Sequence, residues 1–328
     1  MKTVAANIAL GSPLGRAGTA KAVTERVNSL SVFAFGEATS PRGGGKRTTN
    51  GRPYNLVTTM SIIEIKQNNL ISLAAENILV PHGFTTRMGG VSEGYLSTLN
   101  LGMHRGDDPE NVAENYRRLA KAVGFDVQKL VLANQTHSDI VRVVTEADCI
   151  GSLSHRNYPE CDGLVTNTPG VALMIFSADC TPILLHDPVT GAVGAVHAGW
   201  RGTASGIAKN AVETMVSAFG CDPGNIRAAI GPNIGPCCFE TDADVPEAMV
   251  CALGEAANTY IYPKGNKFYL DLKKLNALWL RRCGLHHISI SRHCTACSPD
   301  LFWSHRVTQG KRGSQGAIIV CRVREREP

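Results

Sequence analysis

Nowhere in its 328 residues does the chain carry a run of about 18 apolar residues, so no segment reads as a membrane-spanning helix. No secretory signal pattern opens it. His-x-His pairs are absent and the ten histidines are scattered, which argues against a centre holding several coppers. Internal repeats are lacking, as is an interdomain linker after residue 60. The length suits one or two domains with a substantial buried core.

Acidic residues are scarce in one place. Residues 1–59 hold Lys2, Arg16, Lys21, Arg26, Arg42, Lys46, Arg47 and Arg52 against only Glu25 and Glu37. This leader is therefore +6 in a chain of net charge +5, which leaves −1 for the remainder. The basicity belongs to the leader, so the body gives no reason to expect a nucleic-acid partner. The leader is low in complexity, and Arg42-Gly43-Gly44-Gly45-Lys46-Arg47 is not expected to pack. Its composition suits a transit peptide, a disordered tail or a start codon placed too early. The last is the expectation here, with Met60-Ser61-Ile62 as the true beginning and 60–328 as a single catalytic domain.

Eleven cysteines without a signal peptide are expected to be reduced thiols in a cytoplasmic protein. Cys294-Thr295-Ala296-Cys297 has the CxxC spacing of a zinc or redox pair. It lacks a second pair of that spacing, and the expectation is that it binds nothing. Cys237 and Cys238 are adjacent, and on a strand they would face opposite sides.

Periodicity predicts strands at 130–134, 140–145, 171–176, 183–186, 192–197, 226–230, 287–291 and 316–321. A short strand at His82 leads into a glycine turn, with Arg87 just before it. Asp107-Asp108-Pro109-Glu110 opens a helix in which Val112, Tyr116, Leu119 and Val123 share a face and Gly124 is the stop. A second helix is expected from Thr203, as N-cap, to Phe219, burying Ile207, Ala211, Met215 and Phe219. A third spans Asp271 to Cys283. Strands interspersed with a few helices imply an α+β fold rather than a parallel doubly wound sheet.

At the centre lies a predicted hairpin. Ile183–Leu185 and Ala192–Val196 are apolar runs around Asp187-Pro188-Val189-Thr190-Gly191. Counting outward from Val189, Cys180 lies nine residues back and His197 eight on, which sets them nearly opposite each other at the open end. Facing residues on paired strands approach to about 4.5–5.5 Å, close enough to share a metal ion or a proton. Asn134-Gln135-Thr136-His137 ends another strand and offers a third donor. His137, Cys180 and His197 would form the three-ligand N/S set of a catalytic zinc with a fourth position open. A packed histidine or cysteine is the plainer alternative for any one of them.

The motifs Asn134-Gln135-Thr136-His137, Asp162-Gly163-Leu164-Val165-Thr166, Ala178-Asp179-Cys180-Thr181-Pro182, Val196-His197-Ala198-Gly199-Trp200-Arg201-Gly202 and Gly235-Pro236-Cys237-Cys238-Phe239-Glu240 occur in this order. Together they resemble the YfiH/LACC1 family, known as purine nucleoside phosphorylases and also as multicopper polyphenol oxidoreductases or laccase-domain proteins. The resemblance runs from about Met60 to the C-terminus. It implies a mixed β-sheet sandwich flanked by helices, CNF1/YfiH-like, and a metal, usually zinc, on His137, Cys180 and His197. It further implies phosphorolysis of adenosine, inosine, guanosine and methylthioadenosine, with adenosine deamination.

In such an enzyme Cys180 and His197 would be catalytic as well as ligating. Asp179 would move a proton or orient a ligand histidine. Gly199-Trp200-Arg201-Gly202-Thr203 joins a strand to a helix N-terminus, where backbone N–H groups favour anions. Arg201, Arg87 and Arg306 are candidates for phosphate, and Trp200 for stacking on a base. Three rivals stand beside this reading: a copper polyphenol oxidase, a metal-free Cys180–His197 amidase or peptidase acting on peptidoglycan precursors, and a non-enzymatic nucleotide-binding protein. A monomer with purine nucleosides and inorganic phosphate as its partners, and no membrane, is the expected state.

Overall fold

Continuous apolar runs such as Ile183–Leu185 need cover on both faces of their strand, because no face is left polar enough for water. A computed structural model, describing residues 61–67, 69–153 and 160–322, supplies that cover with two stacked sheets between helices. The expected leader, residues 1–59, lies outside the described residues.

In chain order the strands are β1 (Ile62–Gln67), β2 (Leu70–Ala75), β3 (His82–Thr85), β4 (Leu130–Val131), β5 (Val141–Val143), β6 (Gly163–Thr166), β7 (Ala172–Ser177) and β8 (Thr181–His186). There follow β9 (Val193–Ala198), β10 (Arg227–Ile230), β11 (Glu240–Thr241), β12 (Ile261–Lys264), β13 (Lys267–Leu270), β14 (His287–Ile290) and β15 (Gln315–Val320). The helices are α1 (Pro109–Val123), α2 (Trp200–Ala204), α3 (Ile207–Phe219), α4 (Asp244–Leu253), α5 (Leu272–Arg282) and α6 (His305–Thr308).

The first sheet has the order β1-β2-β3-β15-β7-β4, and the second β14-β10-β8-β9-β6-β5. Both mix parallel and antiparallel pairs. Their facing sides share one core, with Leu73, Phe84, Leu173, Ile175 and Ile319 from one sheet against Leu164, Leu184, Val193 and Ala195 from the other. The outer side of the first sheet packs Met174 and Ile318 against Val112, Tyr116 and Leu119 of α1. The outer side of the second packs Ile183, Leu185 and Val196 against Ile207, Ala211 and Met215 of α3 and Leu280 of α5. The result is the expected α+β sandwich flanked by helices, in four layers. A small third sheet, β11-β13-β12, lies with α4 around a core of its own.

Capping explains the helix limits. The Asp108 carboxylate accepts from the Glu110 N–H, and α1 stops at Gly124 in the left-handed region, as its sequence predicts. Asp271 caps α5 from just outside it, accepting from Lys274 N. The helix expected from Thr203 to Phe219 is two helices. Gly206, at φ 80°, breaks it, and Thr203 is no cap: it is buried inside α2, where its Oγ1 accepts from Asn276 Nδ2. The expected strands are present within a few residues, whereas β1, β2, β6 and the third sheet were not anticipated. In β6 all four residues are buried, so it shows no alternation to read.

Candidate metal centre and ligand cavity

The hairpin β8–β9 forms, but its register places His197 opposite Pro182 and Ala198 opposite Thr181. Cys180 therefore continues opposite Gly199, two positions from His197, and not opposite His197 itself. Because strand faces repeat every second residue, the two side chains still share a face. β7 ends in one sheet and β8 begins in the other, so Ala178-Asp179-Cys180 is the corner between them. Asp179 makes that corner at φ 86°, a region few non-glycine residues enter. Its main-chain carbonyl accepts from Ile234 N at 2.9 Å. Its carboxylate accepts from Thr295 Oγ1 (2.6 Å), Ser304 Oγ (3.1 Å) and Arg306 N (2.7 Å). These contacts hold the strained turn.

His137 is also left-handed, at φ 62°. Asp162, fully buried just before β6, holds it there. The Asp162 carboxylate accepts from the backbone N–H groups of Thr136 (3.1 Å), His137 (3.1 Å) and Ser138 (2.8 Å) and from Ser138 Oγ (2.8 Å). It also accepts from His197 Nδ1 at 2.7 Å. An ionised carboxylate can only accept, so Nδ1 carries the proton and Nε2 faces the other donors. The hydrogen bond that orients a histidine of this set, expected of Asp179, is made by Asp162.

His137, Cys180 and His197 do converge. Their candidate donor atoms lie within 4.8 Å of one another. Cys180 Sγ is 3.8 Å from His137 Nε2, and the two imidazole rings meet edge-on with centroids 5.0 Å apart. Burial alone would raise the Cys180 thiol, but the His197 charge and the hydrogen bond to His137 outweigh it and bring it down to about 6. Burial would lower His197, yet the Cys180 thiolate and Asp162 raise it to about 9. Burial likewise opposes ionisation of Asp162, but hydrogen bonds from His197 and Ser138 hold it well below the usual carboxylate range. Two imidazoles and a thiolate form a donor set that fits zinc or copper.

Gly199 leaves room for this cluster. A Cβ at this position would lie 2.8 Å from His137 Cδ2 and 3.3 Å from Cys180 Sγ. Its φ of −68° and ψ of 174° suit any residue, so alanine there would crowd the donors without straining the backbone. Gly199→Ala is expected to weaken metal binding about tenfold or more with little change in thermal midpoint. Competition against a chelator of known affinity checks this, and unaltered affinity would contradict it.

The three donors open onto a cavity of about 790 Å³, within the range of small-molecule sites. Phe176 and Phe239 give it apolar wall, Arg105, Arg306 and Arg312 give it positive charge, and the rings of His104 and His305 also line it. Among the described residues none of these arginines has a carboxylate within ion-pair distance. Arg312 Nε, buried, has no hydrogen-bond partner among them either. Burial and the Arg105 charge lower the Arg312 guanidinium to about 10.

Of the sequence-predicted anion ligands, Arg306 lines this cavity, while its Nη atoms donate to the carbonyls of Cys238 and Glu240 at 3.0 Å each. Arg87, Arg201 and Trp200 are not among the lining residues. Arg87 donates to the carbonyls of Ser97 and Pro299 and lies 3.9 Å over the Trp303 ring. Arg201 stacks on Trp200, which packs on the α4 core, and α2 is too short to present a developed helix dipole. Arg105 and Arg312 escaped the sequence reading. Nothing in their local words distinguishes them from solvated arginines, and only the fold turns them inward.

The profile of the family described as multi-copper polyphenol oxidoreductase laccase matches residues 81–322. The purine nucleoside phosphorylase of Deinococcus radiodurans is 41% identical over 257 residues, covering 77% of this chain and 94% of that protein. Purine nucleoside phosphorylase YlmD of Geobacillus stearothermophilus is 39% identical over 242 residues, covering 72% and 88%. The crystal structure of YlmD from Geobacillus stearothermophilus superposes with a TM-score of 0.75 at 36% identity, covering 80% of this chain and all of that one. The hypothetical protein YfiH of Bacillus licheniformis gives 0.73 at 35% identity, covering 78% and 97%. On the profile match, the identities and the shared sandwich, the chain belongs to the YfiH-like, multi-copper polyphenol oxidoreductase laccase family.

Proposed function

We propose that this protein is a zinc-dependent purine nucleoside phosphorylase, acting on adenosine, inosine, guanosine and methylthioadenosine, with adenosine deamination as a second activity. One observation carries the reading: three arginines that form no ion pair among the described residues share a cavity with the His137–Cys180–His197 donor set. Guanidinium groups that form no direct ion pair, in a partly apolar cleft, suit a phosphate dianion. Bound zinc would supply Lewis acidity and a bound water of lowered pKa.

In phosphorolysis a phosphate oxygen attacks ribose C1′, and the bond to the purine nitrogen breaks with its electron pair leaving on the base. Arg105, Arg306 and Arg312 would hold the phosphate and orient it on C1′. Phe176 and Phe239 offer an apolar surface to the base. Burial and the Arg312 charge lower His305, so at neutral pH it acts as a hydrogen-bond partner and adds no further positive charge. Asp162 fixes the His197 ring.

Purified protein should release base and ribose 1-phosphate (5-methylthioribose 1-phosphate from methylthioadenosine) only when inorganic phosphate is present. Arg312→Ala should raise KM for phosphate about ten- to hundredfold, the loss of a charge-assisted contact, with a smaller change in KM for nucleoside. Base release independent of phosphate would replace phosphorolysis with hydrolysis. Inosine formed from adenosine without phosphate tests the deaminase activity.

The Asp162–His197–Cys180 line also suits a Cys–His hydrolase, with Cys180 as nucleophile. Chelator-resistant amidase activity and covalent trapping of Cys180 would favour that reading. A multicopper oxidase is less well supported, because among the described residues a single histidine-containing donor set is present.

A further inference from the structure

The adjacent cysteines and the CxxC pair, read separately in the sequence, come together. Cys237 and Cys238 do not face opposite sides, because they lie in a turn and not on a strand: Cys238 N and Phe239 N both donate to the Gly235 carbonyl. Both sulfurs therefore reach the loop after β14. Cys237 Sγ and Cys238 Sγ are each 3.4 Å from Cys297 Sγ, and with Cys294 the four sulfurs lie within 4.8 Å of one another.

Chance packing of free thiols accounts poorly for this. Structural free cysteines are mostly buried, whereas Cys237 and Cys297 are exposed. Four sulfurs around a cation at about 2.3 Å would be separated by about 3.8 Å, and the observed cluster needs little adjustment to reach that. Gly235 N donates to Cys294 Sγ at 3.1 Å, a contact that favours the thiolate. The ammonium of Lys273, which donates to the His293 carbonyl at 2.8 Å, lies near enough to feel charge on Cys294 and Cys237. Exposure gives a cation an entry path.

We infer that Cys237, Cys238, Cys294 and Cys297 form a second metal site, a tetrathiolate that takes one zinc-like divalent cation and is closed to substrate. Four protein sulfurs leave no open position, so its role is structural. It joins a loop of the cavity wall to a loop that braces that wall through Asp179. One carries Ile234 and Phe239, and the carbonyls of Cys238 and Glu240 that fix Arg306. The other carries Thr295, whose hydroxyl donates to Asp179 at the Cys180 corner. The site is independent of whichever reaction the cavity performs.

The test is metal content and cobalt binding on the full chain, purified under reducing conditions. Wild type should carry two zinc per chain. Cys180→Ala should keep one, and the double variant C237S/C297S should keep the other. Cobalt added to metal-free Cys180→Ala should give the intense sulfur-to-cobalt charge-transfer and tetrahedral d–d bands of a four-sulfur site, and these should vanish when C237S/C297S is combined with Cys180→Ala. Amide exchange at 234–240 should quicken about tenfold or more in the double variant and in metal-free protein. A single zinc in wild type that Cys180→Ala abolishes would overturn the inference. So would a mass two daltons low under native conditions that peptide mapping assigns to a disulfide among the four. If C237S/C297S does not fold, cobalt titration of Cys180→Ala alone decides: no charge-transfer band, no site.

Discussion

Cys180→Ala is expected to empty the His137–Cys180–His197 set of metal and to lower kcat/KM for phosphorolysis at least about 10³-fold, roughly 4 kcal/mol of transition-state stabilisation. Cys180 is the one anionic donor of the three, and two imidazoles alone hold zinc weakly at neutral pH. Cys180→Ser should fail equally, since a hydroxyl does not ionise where a thiol brought down to about 6 does. The pH dependence of metal uptake follows from the same pair. Between the Cys180 value of about 6 and the His197 value of about 9, the metal-free pair holds one proton, on His197. Metal must displace it, so affinity should rise about tenfold per pH unit in that window through these two residues. Below about 6 Cys180 holds a second proton, and the slope from the pair should steepen towards about a hundredfold per unit. Titration with buffered zinc checks both slopes. Activity undiminished in Cys180→Ala would remove the metal set from the mechanism.

The donor triad was legible in the sequence because its residues stand in separate, distinctive words at strand ends. The hairpin turn Asp187–Gly191 placed two of them on one face even with the register two residues off, since a slip of two keeps the face and a slip of one would not. The helices with polar caps were legible too: Asp108 and Gly124 each act by local chemistry. What stayed hidden depends on contacts across long stretches of chain. Asp162 acts on residues 24 to 35 positions away, and no local pattern marks a buried carboxylate. Arg312 and Arg105 reach the cavity from two loops far apart in the chain. Trp200 and Arg201 carried a suggestive word, but Gly206 cuts their helix to five residues. The four-cysteine cluster was missed because the pairs are not both CxxC. A Cys-Cys turn offers two sulfurs to one side, which strand alternation cannot foresee.

Asp162→Ala is expected to destabilise the fold by about 3–5 kcal/mol, the range for stripping a buried charge from its partners. One carboxylate satisfies three backbone N–H groups, the Ser138 hydroxyl and the His197 Nδ1–H. Alanine leaves all five without that acceptor and frees the left-handed turn at His137. Asp162→Asn is the more informative change. It keeps the shape but turns an amide N–H towards donors, so it should fold with a smaller loss and bind metal about 10–100-fold more weakly, as for other groups that orient ligand histidines. The direction with pH follows from linkage. The folded Asp162 carboxylate is held well below the unfolded carboxylate value, so its stabilisation is complete above about pH 4 and fades as pH falls through the folded value. Denaturant unfolding of wild type and Asp162→Asn should therefore differ most at neutral pH and converge on acidification below about pH 4. A difference constant from pH 7 down to pH 3 would mean that packing, and not the ionised carboxylate, is what Asp162 contributes. In that case the orientation of His197 would need another source.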